Sequence, residues 1–211
     1  MNDRNKLLSL MVGGLLLIVV VLTIVLTQDS GDDPVAAEVK DVQLEEPAQV
    51  IEPGETASVT METTEGSFTI ELDSERAPET ANSFAYLVEE GFYDGLGFHR
   101  IVPDFVIQGG DPLGDGTGGP GYKVVEAPPE DLEYEPGVVA MAKSGAEAPG
   151  TSGSQFYVVT GAGGQSLTPD YALVGTVGSG MEVVEEIGSL GGPDEQPTRE
   201  VVIEKATLEK G

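Results

Sequence analysis

The chain has 211 residues, with 37 Asp and Glu against 10 Lys and Arg for a formal charge of −27, and it carries 29 Gly, 14 Pro and no Cys. Such acidity argues against a nucleic-acid partner, because neutralising phosphates needs clustered cations. The missing cysteine removes disulfides, thiolate metal sites and cysteine nucleophiles, and a single His disfavours zinc hydrolysis and a His-based triad.

From the amino terminus, residues 1–6 precede an uncharged, mostly apolar run from Leu7 to Thr27. A helix of that length, at about 1.5 Å per residue, spans a hydrocarbon core of about 30 Å. The run is longer than the 7–15 residues or so of a cleavable signal peptide and lacks a small-x-small site after it. The expectation is therefore an uncleaved transmembrane signal anchor over 7–27. Arg4 and Lys6 precede the run and the first cation after it is Lys40, which predicts a cytoplasmic amino terminus and an extracytoplasmic remainder.

Residues 28–56 are acidic and proline-bearing, with no apolar period. They read as a disordered linker kept extended by self-repulsion, with an acidic recognition tail as the competing reading. Residues 57–211 then form the folded domain.

Within the domain, Ser58–Thr63 and Ser67–Leu72 alternate at period two around Glu65-Gly66 and predict an antiparallel hairpin. Ala77-Pro78 opens a helix to about Glu90, with Ala81, Phe84, Ala85 and Val88 on one face and Gly91 after it. Strands are expected at 98–102, 105–108, 138–142, 155–160, 172–177 and 201–208, and a second helix over 181–187. This pattern implies a mainly β fold, a closed eight-stranded antiparallel barrel capped by two α-helices.

The stretch Asp111–Gly137 reads as a long loop. It contains Gly114-Asp-Gly-Thr-Gly-Gly119, a formal G-x-G-x-x-G. Pro120-Gly121 follows instead of a helix, and Asp111 and Asp115 carry the wrong charge for a pyrophosphate, so the glycines are assigned to tight turns.

Three segments now stand in order: Phe98-His-Arg-Ile-Val-Pro-Asp-Phe-Val-Ile-Gln-Gly-Gly-Asp111, Gly116-Thr-Gly-Gly119 and Gly153-Ser-Gln-Phe-Tyr157. Together with Met141-Ala142 and Val174-Gly175 they resemble the signature segments of the cyclophilins, over about Val59 to Leu208. The resemblance implies a cyclophilin-like barrel and peptidyl-prolyl cis–trans isomerase activity, here as a membrane-anchored prokaryotic form, on proline-containing polypeptides outside the cytoplasm and with no cofactor or metal. The chemistry is consistent with these residues. The barrier to peptide-bond rotation is ~18–20 kcal/mol because resonance gives the C–N bond double-bond character. A catalyst needs an apolar pocket for the pyrrolidine ring, anchors for the flanking backbone, and a donor aimed at the prolyl nitrogen, which localises its lone pair in the twisted transition state.

By the resemblance Arg100 is that donor, its guanidinium being permanently charged and rigidly forked, with an ordinary surface ion pair as the competing reading. Gln155 anchors substrate backbone and Tyr157 lines the proline pocket; alternation puts Phe156 on the opposite, core face. The Tyr157 hydroxyl, where Phe is common, is expected at a wet rim. Phe105, Val106 and Leu167 complete the pocket, with plain barrel core as the competing reading for each. Gln108 binds substrate or holds Arg100. Ala142 and Lys143 flank the groove, Lys143 standing where Asn is frequent, and Tyr171 reaches toward it. Alternation places His99 opposite Arg100, and since isomerisation transfers no proton it is read as a hydrogen-bonded structural residue. Cyclosporin-sensitive relatives carry Trp just before the leucine matched by Leu167, whereas Ser166 stands here, so weak or no cyclosporin binding is expected. The alternative function is a proline-peptide binding module or holdase chaperone with incidental isomerase activity.

Overall fold

A computed structural model describes residues 43–211 of the chain. The expected cytoplasmic segment 1–6, the anchor 7–27 and the linker as far as residue 42 lie outside the described residues. Among the described residues no helix is long and apolar enough to cross a membrane.

The fold begins with a hairpin, β1 (Ala57–Thr63) and β2 (Gly66–Leu72). Alternation buries Val59 and Met61 from one strand opposite Ile70 and Phe68 from the other. Thr63 closes the turn, its hydroxyl donating to the Gly66 carbonyl at 2.7 Å and accepting the Glu65 N–H. Helix α1 (Pro78–Glu89) follows, with Pro in its first turn. Its own N-cap position holds Ala77, which offers no side-chain acceptor. The carboxylate of Glu126 substitutes, accepting the N–H of Glu79 at 3.2 Å and of Thr80 at 2.8 Å, so two of the orphan donors of the first turn are satisfied from a loop distant in sequence.

The remaining elements are β3 (Arg100–Val102), β4 (Val106–Gly109), β5 (Val124–Val125), β6 (Val138–Met141), β7 (Thr151–Ser152), β8 (Phe156–Val159), a 3-10 turn (Ala162–Ser166) leading into Leu167, β9 (Leu173–Ser179), α2 (Met181–Gly188) and β10 (Ile203–Lys210). Eight strands form one antiparallel sheet in the order β10-β1-β2-β9-β6-β8-β4-β3, and β5 and β7 pair separately. The sheet curls so that one face encloses a core in which Phe84, Tyr93, Phe98 and Phe156 meet largely edge to face.

The expected closed barrel is corrected: the sheet is open, with β3 and β10 as its two edges and no ladder between them. The ends are tied instead by the segment before β3: the bridge Gly97–Val202 is flanked by the Phe98 N–H donating to the Val201 carbonyl at 3.0 Å, the Ile203 N–H to the Leu96 carbonyl at 2.9 Å and the Gly95 N–H to the Ile203 carbonyl at 2.7 Å. The reason is visible at the outer edge of β3. There the Ile101 N–H donates to the carbonyl of Glu195 at 2.7 Å, so a loop between α2 and β10 takes the place a strand would need. An edge covered in this way does not invite further pairing.

The domain also begins earlier than residue 57. Residues 43–56, expected within the extended linker, lie on the domain: Ile51 is 1% exposed within the core. Asn82 on α1 holds this segment with its whole amide, accepting the Val50 and Ile51 N–H groups at 2.7 and 3.1 Å and donating to the Ala48 carbonyl at 3.0 Å. Leu44 N–H donates to the Pro120 carbonyl at 2.7 Å. Most of the segment stays exposed, but one buried isoleucine and the hydrogen bonds to Asn82 and Pro120 hold it to the domain against its local charge.

Candidate functional site

The register sets one row of side chains across four strands. Arg100 on β3 pairs with Gln108 on β4, Gln108 with Tyr157 on β8, and Tyr157 with Ala140 on β6. Neighbouring strands lie about 4.8 Å apart, so residues far apart in sequence stand side by side. The pleat sends Ile101, Ile107, Phe156 and Val158 to the inner core, while Val106, Tyr157 and Val159 fall on the other face with Tyr134, Val138, Ala140 and Leu173. Phe105, Ala142, Leu167 and Tyr171, half-buried, pack against this second cluster. The six apolar candidates from the sequence thus come together.

The polar candidates form a hydrogen-bonded relay beside that face. Arg100 Nη1 donates to Gln108 Oε1 at 3.3 Å, Gln108 Nε2 donates to Gln155 Oε1 at 3.1 Å, and Gln155 Nε2 donates to the carbonyls of Gly116 and Gly118, each at 3.0 Å. Arg100 Nε is held separately by Glu195 Oε2 at 2.7 Å, and its guanidinium carbon stands 5.9 Å from the centre of the Phe105 ring. Nη2 makes no hydrogen bond to any described residue, so a donor remains for a ligand.

The glycine segment explains itself here. Asp111, buried, accepts the Leu113 N–H at 2.9 Å and the Gly116 N–H, which winds the loop around its carboxylate. A Cβ at Gly118 would come within 2.1 Å of Asp111 Oδ1, and Gly116 sits at φ +89. The close approach and the left-handed backbone both demand glycine. The result is a pair of carbonyls aimed at Gln155.

A recess of about 390 Å³ adjoins the relay, lined by Gln108, Gln155, Ala142, Lys143, Lys123 and Glu147 among others. Lys123 pairs with Glu147 at 3.0 Å, and Lys143 Nζ lies 5.5 Å from the centre of the Tyr171 ring and 3.3 Å from the Glu147 carbonyl. The Ser144 N–H, donating to the Glu147 carboxylate at 2.7 Å, holds that group below the usual carboxylate range, and Lys123 adds to the effect.

Two expectations are corrected. The Tyr157 hydroxyl is not at a wet rim: the residue is 4% exposed and its oxygen is buried without a partner among the described residues, so burial, with Tyr134 and Tyr171 beside it, pushes its pKa up strongly. His99 is not a hydrogen-bonded structural residue either. Both ring nitrogens are buried with no partner among the described residues. Its pKa is lowered chiefly by that burial, with Asp111 pulling the other way. It borders a different recess, with Asp111, Leu113 and Glu200.

The structure also brings in residues not foreseen. Tyr134 donates its hydroxyl to the Tyr171 carbonyl at 2.8 Å and accepts the Tyr171 N–H at 3.0 Å, fixing the residue that packs edge-on against Tyr157. Burial moves its hydroxyl up to about 12. An aromatic amid the acidic, proline-bearing end of the loop, Glu126–Pro136, was the one signal for it. Nothing local marks Glu195, whose partner is 95 residues away.

The family model described as cyclophilin type peptidyl-prolyl cis-trans isomerase/CLD matches residues 58–208. The chain belongs to the cyclophilin family of peptidyl-prolyl isomerases. The cyclophilin domain is 40% identical over 158 residues to peptidyl-prolyl cis-trans isomerase-like 1 of Gibberella zeae, covering 72% of this chain and 95% of that protein. It is 40% identical over 141 residues to peptidyl-prolyl cis-trans isomerase CYP18-2 of Arabidopsis thaliana, covering 65% and 84%. Among solved structures, a Cryptosporidium parvum cyclophilin-type isomerase superposes with TM-score 0.67 at 30% identity, over 74% of this chain and 99% of that one. A structure of the same parasite protein in the presence of the dipeptide Ala-Pro matches at TM-score 0.67 and 27% identity, over 73% and 99%.

Proposed function

We propose that this cyclophilin accelerates rotation about X–Pro bonds in extracytoplasmic polypeptides, with Arg100 as the catalytic residue. The observation that carries the mechanism is the guanidinium held at two atoms beside a half-buried apolar face, with Nη2 free to donate. A proline ring seated against Phe105, Leu167 and Tyr171 brings its nitrogen toward that donor. Hydrogen bonding there withdraws the nitrogen lone pair from conjugation, an interaction strongest when the amide is twisted, so it lowers the barrier rather than deepening the ground state. A thousandfold acceleration corresponds to about 4 kcal/mol of differential stabilisation. No bond is made or broken and no proton changes place. Gln155, which lines the recess together with Lys123 and Lys143, is the residue we assign to the substrate backbone.

The cellular side of the proposal rests on the sequence: an uncharged run over Leu7–Thr27 with Arg4 and Lys6 before it supports a single-pass anchor with a cytoplasmic amino terminus. Protease accessibility of the full chain in sealed membrane vesicles tests that topology. Ser166 ahead of Leu167 supports weak cyclosporin binding.

The catalytic reading is tested by isomer exchange in an X–Pro peptide, followed by NMR, for the native chain and Arg100→Ala. Turnover is expected to fall about a hundredfold or more while peptide affinity changes a few-fold. Equal losses in both would identify a proline-peptide binding module, and native exchange at the uncatalysed rate would overturn the reading.

A further inference from the structure

Among the described residues, only Asp104 and Glu195 hold a positive φ without being glycine. Glu195, at φ 63, lies in the loop that covers the outer edge of β3. An L side chain is disfavoured in this conformation and glycine is not, so a glutamate kept here works against its own backbone. Its carbonyl accepts the Ile101 N–H at 2.7 Å, its N–H donates to the Gly192 carbonyl at 3.1 Å, and the loop is closed by Gly192 N–H on the Gln196 carbonyl at 2.7 Å. All of these are backbone bonds that any residue makes. The side chain makes one hydrogen bond among the described residues, from Arg100 Nε to its Oε2 at 2.7 Å.

That ion pair is a poor stabiliser of the fold. The two side chains are 35% and 54% exposed, and pairs so open to solvent contribute little once side-chain entropy and screening are counted. Its effect falls on the guanidinium. A planar fork held at Nε by Glu195 and at Nη1 by Gln108 has its plane fixed by two acceptors on opposite flanks. Nη2 is then the nitrogen left to face a ligand. With the first anchor removed, rotation about the last side-chain bonds carries the fork away on the remaining Gln108 contact.

We infer that Glu195 is a positioning residue for Arg100, locking the guanidinium plane so that Nη2 meets the prolyl nitrogen. The inference rests on the catalytic reading of Arg100. It assigns the loop between α2 and β10 a part in catalysis at a distance of 95 residues from the arginine.

The test is Glu195→Gly, which removes the carboxylate and relieves the left-handed backbone together. The expected result is a kcat reduced about 10- to 100-fold, as misoriented catalytic groups show, with KM within about twofold and a melting temperature unchanged or higher. Loss of activity without loss of stability is the outcome a merely structural residue would not produce. Glu195→Gln keeps an acceptor for Nε and restores most of kcat. By NMR, the Arg100 Nε–H signal exchanges slowly in the native and Glu195→Gln proteins and rapidly in Glu195→Gly. In an Arg100→Ala background Glu195→Gly changes kcat no further. A native-like kcat in Glu195→Gly, or a further loss in the Arg100→Ala background, overturns the inference. If Arg100→Ala lowers kcat while Glu195→Gly does not, only the positioning role fails. If Arg100→Ala itself leaves kcat unchanged, the catalytic reading falls and takes this one with it.

Discussion

Gln108 Nε2 donates to Gln155 Oε1 at 3.1 Å, and this one bond decides which way both amides face. It leaves Gln108 Oε1 for Arg100 and Gln155 Nε2 for the carbonyls of Gly116 and Gly118. The relay therefore couples the guanidinium to a glycine loop on another part of the surface. Gln155→Glu keeps the size but turns two donated bonds into carboxylate–carbonyl repulsion. The expected outcome is faster amide hydrogen exchange across residues 114–119 and a kcat/KM lower by about tenfold, the scale of losing roughly one neutral hydrogen bond. Unchanged exchange in that loop would show that Asp111 alone holds it.

Tyr157→Phe should stabilise the domain. Its hydroxyl oxygen is buried with no partner among the described residues, and an unmade hydrogen bond at a buried polar group costs about 1–3 kcal/mol. Urea denaturation is expected to show a gain of about 1 kcal/mol with isomerase turnover within about twofold, since the ring contacts with Tyr134 and Tyr171 survive. A destabilised variant would mean that the hydroxyl has a partner in solution.

Acid stability should carry the signature of His99. Burial lowers its folded-state pKa below 6.5, while the unfolded chain keeps about 6.5. On acidification the unfolded state binds the proton first. The contribution of neutral His99 is thus complete above about pH 6.5 and is lost as the pH falls through the folded value. His99→Gln should flatten the stability profile below about pH 6.5, measured by denaturant titration at each pH. Parallel native and variant profiles would count against it.

Residues 43–56 should matter to folding. Ile51→Ala is expected to cost about 2–4 kcal/mol, the usual range for a buried isoleucine, and Asn82→Ala to release Ala48–Ile51 by removing all three amide contacts. A chain beginning at residue 57 should therefore melt lower than one beginning at residue 43. Equal melting temperatures would return this segment to the status of a tether.

Period-two alternation, helix punctuation and the spacing of motifs are local properties, and they were readable in the chain itself. Tyr157 and Phe156 point to opposite faces because a strand has no alternative, and Pro78 and Gly91 bracket a helix by fixed backbone preferences. Family segments around Arg100, Gln108 and Gln155 likewise survive in linear order. What the sequence could not decide is every feature made by residues that meet only after folding. Glu126 caps α1 from 46 and 47 residues away, Asn82 draws in an acidic segment that composition assigns to solvent, and the Glu195 loop occupies the edge where a closing strand was expected. His99 and Tyr157 belong to the same class, since alternation tells which way a side chain points but not whether an acceptor waits there. Local sterics determine the elements; partners and orphaned groups are decided by which surfaces the curled sheet brings face to face.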